Sequence, residues 1–271
     1  MRRLINQRPA RGEGFALGVL PFLALLIVYV IASQLRLADN ADDKLLPSFG
    51  SMAGALHDYA LVADPRSGQY LFWADTWASL KRMGSALLIS SFAGLVLALA
   101  IGSIPRVRAL LSPLLSTVAM IPPLAVLPIL FIVLGLDEPA KIALIVIGIL
   151  PCIARDLSLR IAELPEEQLV KAQTLGASTW QLVLRVILPQ TLPRLIDSLR
   201  LNLGSAWLFL IAAEAIASTQ GLGYRIFLVR RYLAMDVILP YVAWITVLAV
   251  CSDLLLRLLR ARAFGWAEPS R

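Results

Sequence analysis

The chain has 271 residues, 59% of them hydrophobic, a mean hydropathy of +0.77 and a formal charge of +7. That apolar content exceeds what a soluble globular domain carries. Long uninterrupted apolar runs also exclude a closed β-barrel, whose strands alternate apolar and polar residues. The composition predicts an all-α polytopic membrane protein in which the basic residues set orientation. No nucleic-acid-reading motif accompanies the positive charge, and nucleic acid is not an expected partner.

The chain begins with Arg2, Arg3, Arg8 and Arg11, followed by an apolar run over 15–32. Arginines before an apolar run also describe a secretory signal peptide, with Ile31, Ala32 and Ser33 as its cleavage site. The run exceeds the usual length of such a segment, so a retained first span is expected. Further candidate spans lie at 83–104, 111–134, 140–153, 199–217 and 237–256, about six in all. The 140–153 run is short unless the helix continues toward Leu159, with Pro151 allowing a kink.

Residues 34–82 form a long polar connection that carries Asp39, Asp42, Asp43, Asp58, Asp64 and Asp75. Within it, Leu45, Leu46, Pro47 and Ser48 precede Met52, Leu56 and Tyr59, which predicts a turn and a short amphipathic helix. Asp64, Pro65, Arg66, Ser67 and Gly68 read as a second turn. The expected organisation is a cytoplasmic tail (1–14), a first transmembrane helix (15–33), an external segment (34–82), a permeation core (83–259) containing a cytoplasmic loop (160–198), and a cytoplasmic tail (260–271).

The second span carries Gly94, Ala98 and Gly102 at four-residue intervals, a face of small residues that lets another helix approach closely. That helix belongs either to the same chain or to a second copy. The third span contains Met120, Ile121, Pro122 and Pro123. Two successive prolines remove backbone donors, which a membrane tolerates where the freed carbonyls face protein or a watery cavity. The break is therefore either a wall of a solute path or a kinked packing helix.

With the N-terminus inside and six crossings, the inner segments hold sixteen basic residues and the outer segments nine. Both termini and the loop around Lys171 are then expected in the cytoplasm. The outer cluster at Arg225, Arg230 and Arg231 runs against the trend. Glu214 is a carboxylate well inside an apolar span, a costly placement that calls for a partner or a cavity. Arg225 and Arg230 are candidate partners for a structural ion pair; contact with a transported solute is the alternative. Asn202 and Trp207 on the same span are candidate cavity residues.

Between the apolar blocks lies a moderately polar loop. Leu169, Ala172 and Leu175 recur on one helical face, Gly176 permits the positive φ that ends a helix abruptly, and Trp180 to Leu188 forms a second apolar-rich segment stopped by Pro189. Alone, this pattern also fits a helical hairpin lying on the membrane surface. Cys152 and Cys251 fall in apolar segments and read as small hydrophobes. The only histidine, His57, excludes a multi-histidine metal site.

Lys171, Ala172, Gln173, Thr174, Leu175, Gly176, Ala177 and Ser178, with Val186, Leu188 and Pro189, resemble the cytoplasmic "EAA" loop of permease subunits in ATP-driven importers. There Glu-Ala-Ala, three residues, Gly, nine residues, Ile, one residue and Leu-Pro follow in order. Met120 to Leu124 with Leu127 and Pro128, Gly135 to Glu138 with Lys141 and Ile142, Leu188 to Pro193, Leu199 to Leu201 as a turn, Gly204 to Trp207, Ala212 to Glu214, and Gly221 to Tyr224 extend the likeness. It is a resemblance to the nitrate/sulfonate/taurine/bicarbonate permeases, and within them to the branch found beside urea- or guanidine-carboxylating enzymes. Val170 stands where the loop pattern has its acidic residue and Lys171 where it has its first alanine. The contact that the acidic residue makes with the ATPase is therefore not carried over.

The resemblance implies a type I ATP-binding-cassette importer permease fold. It places the ATPase contact on Lys171, Ala172, Thr174, Leu175, Gly176, Ala177, Ser178, Trp180, Leu188 and Pro189. The translocation path falls to Met120, Pro122, Pro123, Asn202, Trp207 and Glu214. It further implies a second, identical permease subunit, two ATPase subunits, a periplasmic or lipid-anchored solute-binding protein, and residence in a bacterial inner membrane. Cofactors are expected in the partner, as ATP and Mg, with none in this chain. No Gly-x4-Gly-Lys-Ser/Thr phosphate loop occurs, and no Ser/His/Asp set or paired carboxylates support an enzyme. The remaining rival is an ion-coupled secondary carrier or channel. Carriers of that kind show inverted repeats and several broken helices, of which this sequence has one break and no convincing repeat.

Overall fold

A computed structural model describes residues 11–40 and 43–267. The expected tails at 1–14 and 260–271 lie partly outside these residues. Among the described residues every regular element is helical. In chain order these are α1 (Arg11–Asp39), α2 (Phe49–Leu61), α3 (Leu71–Ser103), α4 (Pro105–Val118), α5 (Pro123–Leu134), α6 (Glu138–Ala162), α7 (Glu166–Thr174), α8 (Thr179–Leu182), α9 (Leu188–Ala217), α10 (Leu222–Val229) and α11 (Met235–Ala263). Five helical stretches are long and apolar enough to cross a membrane, and the bent pair α4–α5 makes a sixth if counted as one span.

Helices α3, α6 and α9 form the core, with α6 packed between the other two. Between lipid-embedded helices there is little hydrophobic driving force, so close van der Waals packing of small residues holds them. Ala86 and Ala98 of α3, Ala140 and Ala154 of α6, and Ala206 and Ala213 of α9 are fully buried. A Cβ added at Gly102 would stand 2.7 Å from Ile161, and one at Gly94 would stand 3.0 Å from the same helix at Ile153. The small-residue face of α3 therefore packs on α6 of the same chain. Across the other side of α6, a Cβ on Gly148 would lie 2.3 Å from the ring of Phe209 on α9.

Helix α11 is tied to α9 by charge. Arg200 holds Asp253 in a two-pronged pair at 2.7 and 3.0 Å, and Arg260 meets Asp197 at 3.1 Å. Helix α1 stands apart, touching the body where Tyr29 and Ser33 donate to the carbonyls of Pro47 and Leu46. Its apolar side chains, such as Phe15 and Phe22, are exposed. The expected amphipathic helix is α2, capped by Ser48, which accepts from the Ser51 amide. At the second expected turn, Asp64 accepts from the backbone and hydroxyl of Ser67 at 2.9 and 2.8 Å. These bonds, the hydroxyl's foremost, hold the carboxyl below the ordinary aspartate range.

Three features depart from the expected spans. Helix α3 starts at Leu71, well ahead of Met83, so residues 71–82 belong to a helix and not to a polar connection. Asp75, Ser79 and Arg82 lower the hydropathy there, yet all three are buried and paired. The break expected at Pro122 and Pro123 is far sharper than a kink within one span over 111–134: α4 and α5 meet at 94°. Pro122 and Pro123 stand at the N-cap and first position of α5, where a missing N–H costs nothing and φ is preset. At about 21 Å and 18 Å, neither half crosses a hydrocarbon core of about 30 Å alone. Finally, Pro189 does not stop a helix. A π-turn over Val183–Ile187 joins α8 to α9, giving one helical run over Thr179–Ala217 that also contains the expected turn at Leu199. The wider turn admits a proline whose ring would otherwise crowd the carbonyl four residues back.

Candidate functional site

The loop around Gly176 is a helical hairpin at the end of the bundle where α6 finishes and α9 begins. Helix α7 closes with paired backbone bonds, Ala177 N–H to Ala172 at 3.0 Å and Gly176 N–H to Gln173 at 2.9 Å, around Gly176 at φ +81°. This is a Schellman ending, in which glycine supplies the left-handed residue. Two residues later Ser178 and Gln181 form a reciprocal capping box that opens α8. One helix end is thus sealed directly against the next helix start.

The tip carries unusual exposure for apolar side chains. Leu175 is 88% exposed and Trp180 69%. Lys171, Thr174, Gly176 and Ser178 are exposed with them, whereas Ala172 and Ala177 are half-buried on the inner side. Leu169 packs against the core and Leu175 does not, because the chain turns at Gly176 and carries Leu175 outward. Leu188 and Pro189 lie half-buried at the root of α9, away from the tip.

At the opposite end of the bundle lies a buried ionic network that the sequence reading did not assemble. Glu214 is fully buried, and its carboxylate accepts from Ser79 at 2.8 and 2.9 Å, Arg82 at 2.7 Å and the Gly223 amide at 2.9 Å. Arg82 also grips Glu138 with Nε and Nη2 at 2.6 and 2.7 Å, and Lys141 donates to Glu138 at 3.1 Å. Beside this set, Asp75 accepts from Arg225 at 2.8 Å and from the Gly221 amide at 2.9 Å. Three carboxylates face three bases, so the network is neutral, as burial demands.

Local sequence explains the assembly. Asp75, Ser79 and Arg82 follow at helical spacing on one face of α3. Gly221 (φ +131°) and Gly223 bring the start of α10 against the carboxylates; a Cβ at Gly221 would stand 2.5 Å from the Glu214 carboxyl carbon. The expected partners of Glu214 were Arg225 and Arg230. Arg225 serves Asp75 instead, and Arg230 lies exposed over the Phe227 ring at 4.9 Å. Four polar residues spaced for one face just upstream of an apolar run (Asp75, Thr76, Ser79, Arg82) were the available signal.

The remaining expected path residues are not gathered in one place. Met120 is 76% exposed at the α4–α5 bend, with Pro122 exposed and Pro123 half-buried beside it. Asn202 is half-buried and donates to the Ser198 carbonyl of its own helix. Trp207 is buried in the core, and its Nε1 has no protein partner. Glu214 is enclosed and satisfied by protein groups, the geometry of the structural ion pair. Cys152 and Cys251 are exposed on the outside of the helical body.

Residues 86–265 match the family model described as "Binding-protein-dependent transport system inner membrane component". The taurine transport system permease protein TauC of Escherichia coli (strain K12) is 37% identical over 194 residues, covering 72% of this chain and 70% of that one. A probable ABC transporter permease protein of Brucella abortus (strain 2308) is 31% identical, covering 72% and 78%. Among solved structures, the MetNI methionine ABC transporter in an inward-facing conformation superposes with a TM-score of 0.59 at 21% identity, covering 76% of this chain and all of that one. That superposition speaks for the fold alone. A family match over about two thirds of the sequence decides against an ion-coupled carrier: the chain belongs to the binding-protein-dependent transport system inner membrane components and is a multi-pass permease of an ATP-binding-cassette importer.

Proposed function

We propose that the hairpin of α7 and α8 is the surface through which a partner ATPase drives this permease. The observation that carries the reading is the exposure of Leu175 and Trp180 on a tip whose two helix ends are both sealed. Apolar side chains held out by a rigid support suit insertion into a groove on another protein. Lys171, Thr174, Gly176 and Ser178 surround them, and Leu188 and Pro189 root the hairpin on α9. Force applied at the tip then passes into the helical run over Thr179–Ala217, which carries Glu214 near its far end.

The rest of the assembly follows the family. Two copies of the chain face each other over two ATPase subunits that hold ATP and Mg, and a periplasmic or lipid-anchored binding protein delivers solute. The bend at Met120, Pro122 and Pro123 forms a wall of the solute path, with Asn202 on α9 nearby in sequence to Trp207. The hairpin and both termini lie in the cytoplasm. Support comes from the charge distribution: Arg82, Lys141 and Arg225, three of the bases that oppose it, are themselves nearly enclosed and paired with carboxylates. The solute is a small nitrogen- or sulfur-containing compound, a class that includes the taurine named for the E. coli relative.

Leu175→Glu tests the coupling role. In complexes reconstituted with the ATPase and binding protein, it should cut solute-stimulated ATP turnover at least about tenfold, since burying a charge in an apolar groove costs more than 1.4 kcal/mol. The permease should still fold, because the residue touches little of its own chain. Undiminished turnover in assembled complexes would contradict the proposal.

A further inference from the structure

We propose that the gap between α1, α2 and α11 holds one zwitterionic glycerophospholipid with a primary ammonium head, of the phosphatidylethanolamine kind. The inference needs only a membrane-embedded bundle and does not depend on the coupling role of the hairpin.

Two cavities lie one above the other in this gap. The deeper, of about 420 Å³, is walled by Leu26 and Tyr29 of α1, Met52 and Leu56 of α2, and Leu239 and Pro240 of α11. The Tyr29 hydroxyl is already spent on the Pro47 carbonyl at 2.7 Å, so the wall offers an occupant mainly apolar surface. The second cavity, of about 590 Å³, is bordered by Leu37 of α1, by Asp43, Lys44 and Ser48 ahead of α2, and by Asp236 of α11. Both long helices keep the same order: Asp236 stands one turn before Leu239 and Pro240, and Leu37 lies beyond Leu26 and Tyr29. Leu26 and Leu37 are separated by about 16 Å of helix, close to half of a hydrocarbon core of about 30 Å. A polar chamber set one leaflet depth above an apolar one has the dimensions of a phospholipid.

The protein does not fill this space itself. The most apolar stretches of α1 and of α11 contain no buried residue, and α1 is tied to the body by the hydrogen bonds of Tyr29 and Ser33. Water does not stably fill an apolar groove at hydrocarbon depth, so an acyl chain is its natural occupant.

Charge specifies the head. Asp43 is taken by Arg36. Among the described residues Lys44 and Asp236 have no ion-pair partner, and they do not pair with each other although both border the polar cavity. Asp39 and Arg231 stand outside its wall. The cavity therefore presents one available cation and one available anion, with no net charge. A phosphodiester at Lys44 and an ammonium at Asp236 satisfy both. An anionic glycerol head leaves Asp236 facing like charge, and a quaternary ammonium has no N–H to donate to the carboxylate. A lipid seated in this way joins α1 to α11 where their side chains do not meet.

The test uses the intact permease–ATPase complex in nanodiscs of equal parts phosphatidylethanolamine and phosphatidylglycerol, without nucleotide or binding protein. Lipid that stays with the complex on release into mild detergent is counted by native mass spectrometry. Phosphatidylethanolamine should be enriched at least about threefold, the order expected of one specific charge contact. Asp236→Asn should return the ratio toward that of the bilayer, and Lys44→Gln should lower retention of both lipids, since both carry the phosphodiester. Ala243→Trp, on the α11 wall of the apolar groove, should displace the bound lipid. Should the Trp variant fail to assemble, the two polar variants decide. Retention at the bilayer ratio in the unaltered complex, or an enrichment that Asp236→Asn leaves intact, would overturn the proposal. So would an absence of retained lipid, and crosslinking of Met52→Cys between two copies would then identify protein as the occupant.

Discussion

Arg82 binds the two halves of the ionic network, since it alone meets both Glu214 and Glu138. Removing one member of a buried pair costs about 3–5 kcal/mol, because the abandoned charge stays desolvated. Arg82→Met should therefore weaken the folded permease by that order, measured as chemical denaturation of the purified subunit. Arg82→Met combined with Glu214→Gln should recover part of the loss, since the second change removes the stranded charge. A double variant no more stable than Arg82→Met would contradict this account of the network. Glu214 itself was readable from the sequence as a charge in need of a partner. Its partner was not, because Arg82 lies 132 positions away and the nearer Arg225 is claimed by Asp75. Which of two carboxylates takes which arginine is settled by helix register across the bundle, on which local spacing is silent.

At the scale of elements, the crossing of α9 and α10 depends on the absence of side chains. A Cβ at Gly223 would stand 2.6 Å from the carbonyl oxygen of Ile211, a backbone atom that cannot swing aside. Gly223→Ala should force α10 off α9 and destabilise the permease by roughly 1–3 kcal/mol, the usual cost of overpacking. It should also lengthen the Gly223 to Glu214 hydrogen bond and loosen the network behind it. Wild-type stability of the Ala variant in the same denaturation assay would refute the close crossing. Element identity was largely legible here: continuous apolar runs gave every long helix, Ser48 and Gly176 marked a start and an end that the structure keeps, and the break read at Pro122 and Pro123 is where α5 begins. Boundaries failed where buried polar residues masked a helix, as at Asp75 and Arg82. They failed again where a π-turn let Pro189 be absorbed, since proline chemistry argues for a stop and only the wider turn relieves it.

Across the whole molecule, the two ends have opposite characters. One end is tied by Asp75, Arg82, Glu138, Glu214 and Arg225; the other offers an apolar tip on a sealed hairpin. The helical run over Thr179–Ala217 joins the root of the hairpin to Glu214. Family membership fixes that such a permease works with an ATPase and a binding protein. The role of the tip is the central claim, and site-directed labelling addresses it most directly. With Cys152 and Cys251 replaced by alanine, Leu175→Cys and Arg66→Cys are each probed with a membrane-impermeant maleimide in oriented vesicles. Leu175→Cys should react only from the cytoplasmic side and lose that reactivity when the ATPase assembles, whereas Arg66→Cys should react only from the opposite side and be indifferent to the ATPase. Reaction of both positions from one side, or a Leu175→Cys thiol that stays fully reactive in the assembled complex, would contradict the account.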